Sequence, residues 1–279
     1  FMSLDLVTIN TNMDLEFKLD SVKLGKVDNS KIKIMFEEFE FVSLLAGMKT
    51  DAPRSAKVDR SRYETILTEE SFDHLLENLV RKKYFAFDLE TTSKHPVWAR
   101  AVGISFSFEE GSAYYLPLTH RYLGVPNQLG LDMVCTKLKP IFEDEKIRKC
   151  GHNIKYDLIV MANEGIYLNG IDFDTMIASY VLNPSKRGHG LDDLSFEHLG
   201  HKNLTYKEMV GIGNKEIGFD EVDVERATEY AAEDSDMTWR LKAKLSPKLK
   251  GDTLKLFDEI ELPLLEVLAE IELNGVYID

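Results

Sequence analysis

YFAFDLETTS, residues 84 to 93, opens on aromatic and small apolar residues and closes with two acids in its last half. Tyr84, Phe85, Ala86 and Phe87 read as a buried strand. Asp88 and Glu90 follow two apart, so on a strand they point to the same face. Burying carboxylates is costly: an unpaired buried charge shifts its pKa or finds a partner. Two like charges side by side at the end of such a strand need something to compensate them.

The surroundings fit an α/β protein. TEESFDHLLENLVRKK, from Thr68, reads as a capped helix, with acids in its first turn and basic residues in its last. After the strand, AVGISFSF (101–108) and SAYYLPL (112–118) flank a short hairpin signal at Glu109, Glu110 and Gly111. GLDMVCTKLKPIFED reads as a helix, IRKC as a buried strand, and NIKYDLIVMANEG as a helix ending at Gly165. Helices are expected over 173–182, 191–199, 222–250 with a break at Pro247, and 254–273. Together these predict a mixed central β-sheet flanked by helices. Upstream, SKIKIMFEEFEFVSLLAG is amphipathic, and the polar stretch MKTDAPRSAKVDRSRYE looks like a linker.

The chain has 279 residues, of which 44% are hydrophobic and 29% charged, the balance of a soluble globular protein. No apolar run approaches the roughly 20 residues a membrane helix needs, and the N-terminus lacks the pattern of a signal peptide. Phe1 before Met2 and the abrupt end at Asp279 suggest a piece of something longer. Two cysteines, Cys135 and Cys150, have no metal-ligand spacing and read as reduced core thiols of a cytoplasmic protein. A net charge of −14 argues against gripping nucleic acid by global attraction, but leaves room for a protein that handles it through metal ions.

Three constellations hold candidate chemistry. Asp88 and Glu90 are the first, and alone they could be solvated loop acids. In GHNIKYD, Asn153 and Asp157 stand four apart at a helix start; Asn153 is also a natural N-cap and Asp157 suits a first turn. In TEYAAEDSDMTW, Tyr230 and Asp234 are four apart on a helix, though spacing does not separate Glu233, Asp234 and Asp236. In conjunction, a strand, a strand-turn-helix and a late helix each deliver carboxylates, the ligand type of hard divalent cations such as Mg²⁺. Two such ions roughly 3.5–4 Å apart can clamp the oxygens of a phosphodiester displacement. On that reading the site is acidic because its cofactor is cationic. GIGNKE (211–216) lacks the third glycine of a dinucleotide fingerprint and is expected to be a loop. His198 and His201 are expected to be a helix-end pair rather than zinc ligands.

The order Asp-x-Glu, Asn-x-x-x-Asp, Tyr-x-x-x-Asp resembles the motifs of the DEDDy branch of DnaQ-like 3′–5′ exonucleases. FAFDLETTS, GHNIKYD, FDTMIASYVLNP, LDDLSFEHLGHK and YAAEDSDMTWRL narrow the resemblance to the proofreading domain of the bacterial DNA polymerase I family, as in its Klenow fragment. The resemblance implies a ribonuclease H-like exonuclease fold over 66–253, a tail of the 5′-nuclease region over 1–50, a linker over 51–65 and the start of a polymerase domain over 254–279. It implies a metal-dependent 3′–5′ exonuclease that removes 3′-terminal nucleotides from DNA and releases nucleoside monophosphates. Its cofactors would be two divalent cations, Mg²⁺ with Mn²⁺ or Zn²⁺ as alternatives. Asp88, Glu90 and Asp234 would hold the first, Asp88 would bridge to the second, and Asp157 would hold the second through water.

By the same resemblance Tyr230 would orient the attacking water, Asn153 would position the turn or the terminal nucleotide rather than bind metal, and Thr91 would offer its backbone or hydroxyl to the terminal nucleotide. The implied partners are a single-stranded or frayed 3′ end of DNA and the 5′-nuclease and polymerase domains of a longer chain, in a monomeric bacterial cytoplasmic protein. Lys94 stands where Klenow-type sequences carry an apolar wedge, and Arg187 is slightly off the family's arginine position. Two alternatives are a catalytically idle module bracing a polymerase, against which the four intact carboxylates speak, and an RNA-trimming exonuclease, against which the polymerase-like C-terminus speaks.

Overall fold

Six strands form one mixed sheet: β1 (Tyr63–Thr65), β2 (Tyr84–Thr91), β3 (Ala101–Glu109), β4 (Ser112–Pro117), β5 (Arg148–Gly151) and β6 (Ile171–Asp174), ordered β1-β4-β3-β2-β5-β6. β2, β3 and β4 run antiparallel to one another, β5 and β6 run parallel to β2 and to each other, and β1 lies parallel to β4. The helices are α1 (Met2–Val7), α2 (Asn29–Glu38), α3 (Glu69–Lys82), α4 (Leu131–Phe142), α5 (Ile154–Asn163), α6 (Thr175–Leu182), α7 (Leu191–Leu199), α8 (Tyr206–Val210), α9 (Val224–Leu245), α10 (Asp252–Leu256) and α11 (Leu262–Asn274). This computed structural model describes residues 2–9, 28–39, 41, 44, 58–213 and 216–277. The chain divides into two compact units, Phe1–Arg54 and Ser55–Asp279. Much of the expected 1–50 tail, and residues 51–57 of the expected linker, lie outside the described residues.

The period-two alternation of β2 divides the sheet into two faces. Phe85, Phe87 and Leu89 pack with Phe106, Phe142, Leu75 and Leu79 in the larger core. Phe87 and Phe142 meet edge-to-face with centroids 5.0 Å apart. The opposite face carries Ala86, Asp88 and Glu90 and is covered by α9. Across β3 these three are paired with Ser107, Ser105 and Gly103. From above, α9 presents Ala227, Ala231, Ala232, Ser235 and Thr238, all buried. Small residues on both sides let the helix lie close to the strand while leaving room for the acids.

Several elements differ from expectation. Tyr63–Thr65, placed in the linker, forms the edge strand β1. Asp174 closes an unexpected strand, β6, and then caps α6 by accepting from Met176 N at 2.8 Å and Ile177 N at 3.0 Å. The helix expected at 173 therefore starts at Thr175. The long late helix stops at Leu245, and Pro247 sits in the 3-10 turn that follows. Near the C-terminus, α10 and α11 are joined by a π turn, Phe257–Glu261, just before Pro263. A proline there lacks the N–H that a regular ladder would use, and a π turn is one way to absorb the mismatch.

Candidate active site

Three elements bring the acids together. β2 supplies Asp88 and Glu90, the first turn of α5 supplies Asp157, and the middle of α9 supplies Asp234. One oxygen from each of Asp88, Glu90 and Asp234 lies within 4.8 Å of the others. Asp157 reaches the group from the β5 side. β2 pairs with β5 only through Ala86, so the backbone of β2 beyond that point lacks a strand partner there. Asp157 Oδ1 fills the gap, accepting from Leu89 N at 3.2 Å. A first-turn acid that sequence could treat as solvated is thus buried between helix and strand, 2% exposed.

The electrostatics of the cluster are unfavourable without a cation. Burial pushes the Asp88 carboxyl up to about 7. Glu90 rises well above the usual carboxylate range, first through burial and then through Asp88, Asp234 and Asp157. Burial and Asp88 raise Asp157, with the Leu89 N–H partly offsetting them. Burial and Asp88 likewise raise Asp234, which Tyr230 partly offsets. Among the described residues no lysine or arginine forms an ion pair with any of the four. Glu90 Oε1 is buried with no hydrogen-bond partner. A donor set of clustered carboxylates, one oxygen orphaned, fits a hard divalent cation.

The three neighbouring acids of α9 separate cleanly. Glu233 is fully buried and accepts from His201 Nε2 at 2.8 Å, Leu204 N at 2.7 Å and Arg60 Nε at 3.2 Å. Burial alone would raise its pKa, but these partners hold it below its ordinary value. Asp236 accepts from Tyr63 Oη at 2.8 Å, Gly111 N at 2.9 Å and both Nε and Nη2 of Arg240. Glu233 and Asp236 are internal struts, and Asp234 alone turns to the other carboxylates.

Tyr230 is partly buried one turn before Asp234; burial first, then Asp234, Glu90 and Asp88, push its phenol well up. Asn153 occupies the N-cap position of α5 in the left-handed region, φ 59°, and its side chain makes no capping bond. Its exposed amide is therefore spare. Thr91 Oγ1 is already engaged, donating to Ser93 O at 3.1 Å and meeting the Tyr156 hydroxyl. Lys94 is exposed, with Nζ 5.9 Å from the centre of the Tyr206 ring. Arg187 is exposed as well.

Sequence reasoning missed the support beneath the acids. A Cβ on Gly103, the residue paired with Glu90, would lie 2.2 Å from Tyr115 Oη. The Tyr115 hydroxyl thus fills the space that a side chain at 103 would take, on the face of Glu90. His120 Nδ1 donates to Val222 O at 2.9 Å, which leaves Nε2 to accept from Tyr115 Oη at 2.7 Å. Asp174 also serves the site: besides capping α6, it accepts from Ile154 N at 2.7 Å and so fixes the start of α5. These partners are 5 to 102 residues apart in sequence, and no local spacing announces them.

Comparison with known proteins agrees with this geometry. The family model described as 3'-5' exonuclease (DNA_pol_A_exo1) matches residues 63–250. DNA polymerase I of Pseudomonas aeruginosa is 38% identical over 100% of this chain and 32% of that protein. The chain spans about a quarter to a third of the length of the curated relatives it matches. Brucella melitensis NrnC with bound Mg²⁺ superposes with a TM-score of 0.55 at 24% identity, over 77% of this chain and 94% of that one. Escherichia coli RNase D, an exoribonuclease involved in structured RNA processing, gives 0.55 at 21% identity, over 77% and 51%. Both likenesses show the ribonuclease H-like exonuclease fold. On the family match and on sheet, helices and acids alike, the chain belongs to the 3′–5′ exonuclease domains of the DNA polymerase I family.

Proposed function

We propose that this domain removes 3′-terminal nucleotides from DNA by hydrolysing the last phosphodiester and releasing nucleoside monophosphates. The observation that carries the reading is the convergence of Asp88, Glu90 and Asp234 within 4.8 Å, with Glu90 Oε1 buried and unpartnered. Asp88, Glu90 and Asp234 would hold one divalent cation, and Asp88 with Asp157 a second, Mg²⁺ being the first choice and Mn²⁺ or Zn²⁺ the alternatives. Such ions, when bound, supply the positive charge that neutralises phosphate oxygens in the transition state.

The chain's own groups do the rest. Tyr230 is pushed well above its ordinary pKa, so its hydroxyl keeps its proton near neutral pH. It can orient a water by hydrogen bonding but does not serve as the base. The spare amide of Asn153 can position the terminal nucleotide. Thr91, whose hydroxyl is engaged, would contribute through its backbone. The DNA substrate is inferred from the polymerase relatives. So are the flanking domains: a 5′-nuclease tail over 1–50 and the start of a polymerase domain over 254–279.

The test is nucleotide release from end-labelled single-stranded DNA and RNA, with Mg²⁺ and with chelator. Metal-dependent release of monophosphates from the 3′ end of DNA, abolished by Asp88→Ala, is the expected result. Release that persists in chelator or in Asp88→Ala would overturn the reading. Faster release from RNA than from DNA would overturn the substrate assignment.

A further inference from the structure

The segment joining β2 to β3, residues 92–100, leaves the acid-bearing strand directly. It is tied down at every stage. Thr92 N donates to Arg100 O and Arg100 N to Thr92 Oγ1, each at 3.1 Å, closing its base. Trp98 N and Ala99 N both donate to His95 O, and Ala99 is buried in the core. Asn163 Nδ2, at the far end of α5, donates to Pro96 O and Val97 O at 3.1 Å each. Tyr156, from the same helix, donates to Ser93 O. On this braced segment Trp98 is 78% exposed, its ring held edge-on to His95 at 5.9 Å. A braced segment presenting its largest apolar side chain to water has little conformational entropy left to lose on binding.

We propose that Trp98 is a stacking platform for a base of the substrate strand upstream of the scissile bond. The inference deepens the exonuclease reading and rests on it. Asp157 and Asn163 are six residues apart on α5, roughly 9 Å along the helix. Trp98, anchored beside Asn163, is thus set back from the acids by about two to four nucleotides of a strand that rises ~3.4 Å per stacked residue. The charge balance favours this mode of holding DNA: a chain of net charge −14 has little long-range attraction for phosphates, so affinity must come from local contacts. Stacking on an aromatic ring is such a contact, and every base has a face to offer. Lys94 and Arg100 are exposed on the same segment, Lys94 Nζ lying 5.9 Å from the centre of the Tyr206 ring and Arg100 pairing with Glu164.

The chain contains two tryptophans, so Trp239→Phe leaves Trp98 as the only one. In that variant an oligothymidylate of about eight nucleotides, added with Ca²⁺ to hold off cleavage, should quench the emission in a saturable way. In steady-state assays Trp98→Ala should raise KM for the same oligonucleotide roughly 5- to 100-fold, the range that one stacked base supplies. Most of the effect should spare kcat, Trp98→Phe should restore most of it, and it should shrink as the substrate is shortened to a dinucleotide. No quenching, or a KM change equally large for a dinucleotide, would overturn the platform. A wild-type chain that quenches on binding but releases no nucleotide would overturn the exonuclease reading and leave the platform standing as a binding site.

Discussion

The backbone N–H of Leu89 donates to Asp157 Oδ1 at 3.2 Å, across the gap where β2 runs on past the end of its pairing with β5. The peptide lying between Asp88 and Glu90 thereby pins the acid of a different element against them. Repulsion within the cluster is built in by the fold: β5 ends short, Asp174 holds the start of α5 in place, and Asp157 takes the vacant donor. Such preorganised repulsion has consequences for stability.

For Asp88 the ordinary pKa of 3.8 rises to about 7 in the folded chain, through burial. Between those values the folded chain keeps a proton that the unfolded chain has lost. Its contribution to stability is complete below about pH 4 and is lost as the pH rises through 7. In chelator, the melting temperature of Asp88→Asn should therefore gain on that of wild type as the pH is raised across this window. Divalent ions should restore the wild type and do less for the variant. Melting curves that stay parallel from pH 4 to pH 7.5 (a range set by these pKa values) would show that Asp88 is relaxed without metal.

The division of labour along α9 gives a second test. Asp234→Ala removes a cluster carboxylate and should abolish nucleotide release while leaving the melting temperature equal to or above that of wild type in chelator. Glu233→Ala strands Arg60 and His201 against a buried vacancy and should cost about 3 kcal/mol, seen as a lower urea midpoint with an unchanged slope. If Glu233→Ala were fully stable and inactive while Asp234→Ala were unstable, the two roles would have to be exchanged.

Much of this was legible in the sequence, because the elements that carry the acids are well patterned. β2 has an apolar run, α5 opens at a strand-turn-helix, and α9 is long and amphipathic. Spacing alone does not choose among Glu233, Asp234 and Asp236; only the Tyr-x-x-x-Asp resemblance points to Asp234. In the fold the choice depends on Arg60 and Tyr63, each 173 residues from its partner along the chain, and on His201, which meets the same Glu233 oxygen as Arg60. β1 was missed because three residues are too few to display a period of two, and β6, IDFD, because two of its four residues are acids rather than an apolar run. The Tyr115 support under Glu90 was hidden for a related reason: a glycine marks a close approach, but only the fold says what approaches it.

Tyr230 tests whether the site needs an oriented water. Tyr230→Phe deletes only the hydroxyl and should lower kcat by about 100-fold, with the divalent-ion concentration for half-maximal activity moved little. A large rise in that concentration would assign Tyr230 to shaping Asp234 instead. Because the phenol is pushed upward, the wild-type rate should show no fall attributable to its ionisation between neutral pH and the usual tyrosine range.

Asn153 separates backbone from side chain. Its φ of 59° lies in the left-handed region, which costs most residues roughly 1–2 kcal/mol but suits asparagine and glycine. Its amide makes no capping bond, so nothing in the fold depends on the side chain itself. Asn153→Gly should therefore keep or nearly keep the melting temperature, since glycine adopts that backbone readily. Asn153→Ala should lose about 1 kcal/mol, a drop of a few degrees for a domain of this size. Activity should divide differently: if the amide positions the terminal nucleotide, both variants should raise KM for single-stranded DNA by a similar factor. A glycine variant with wild-type KM, beside an alanine variant impaired in both stability and activity, would show that position 153 contributes only its backbone turn.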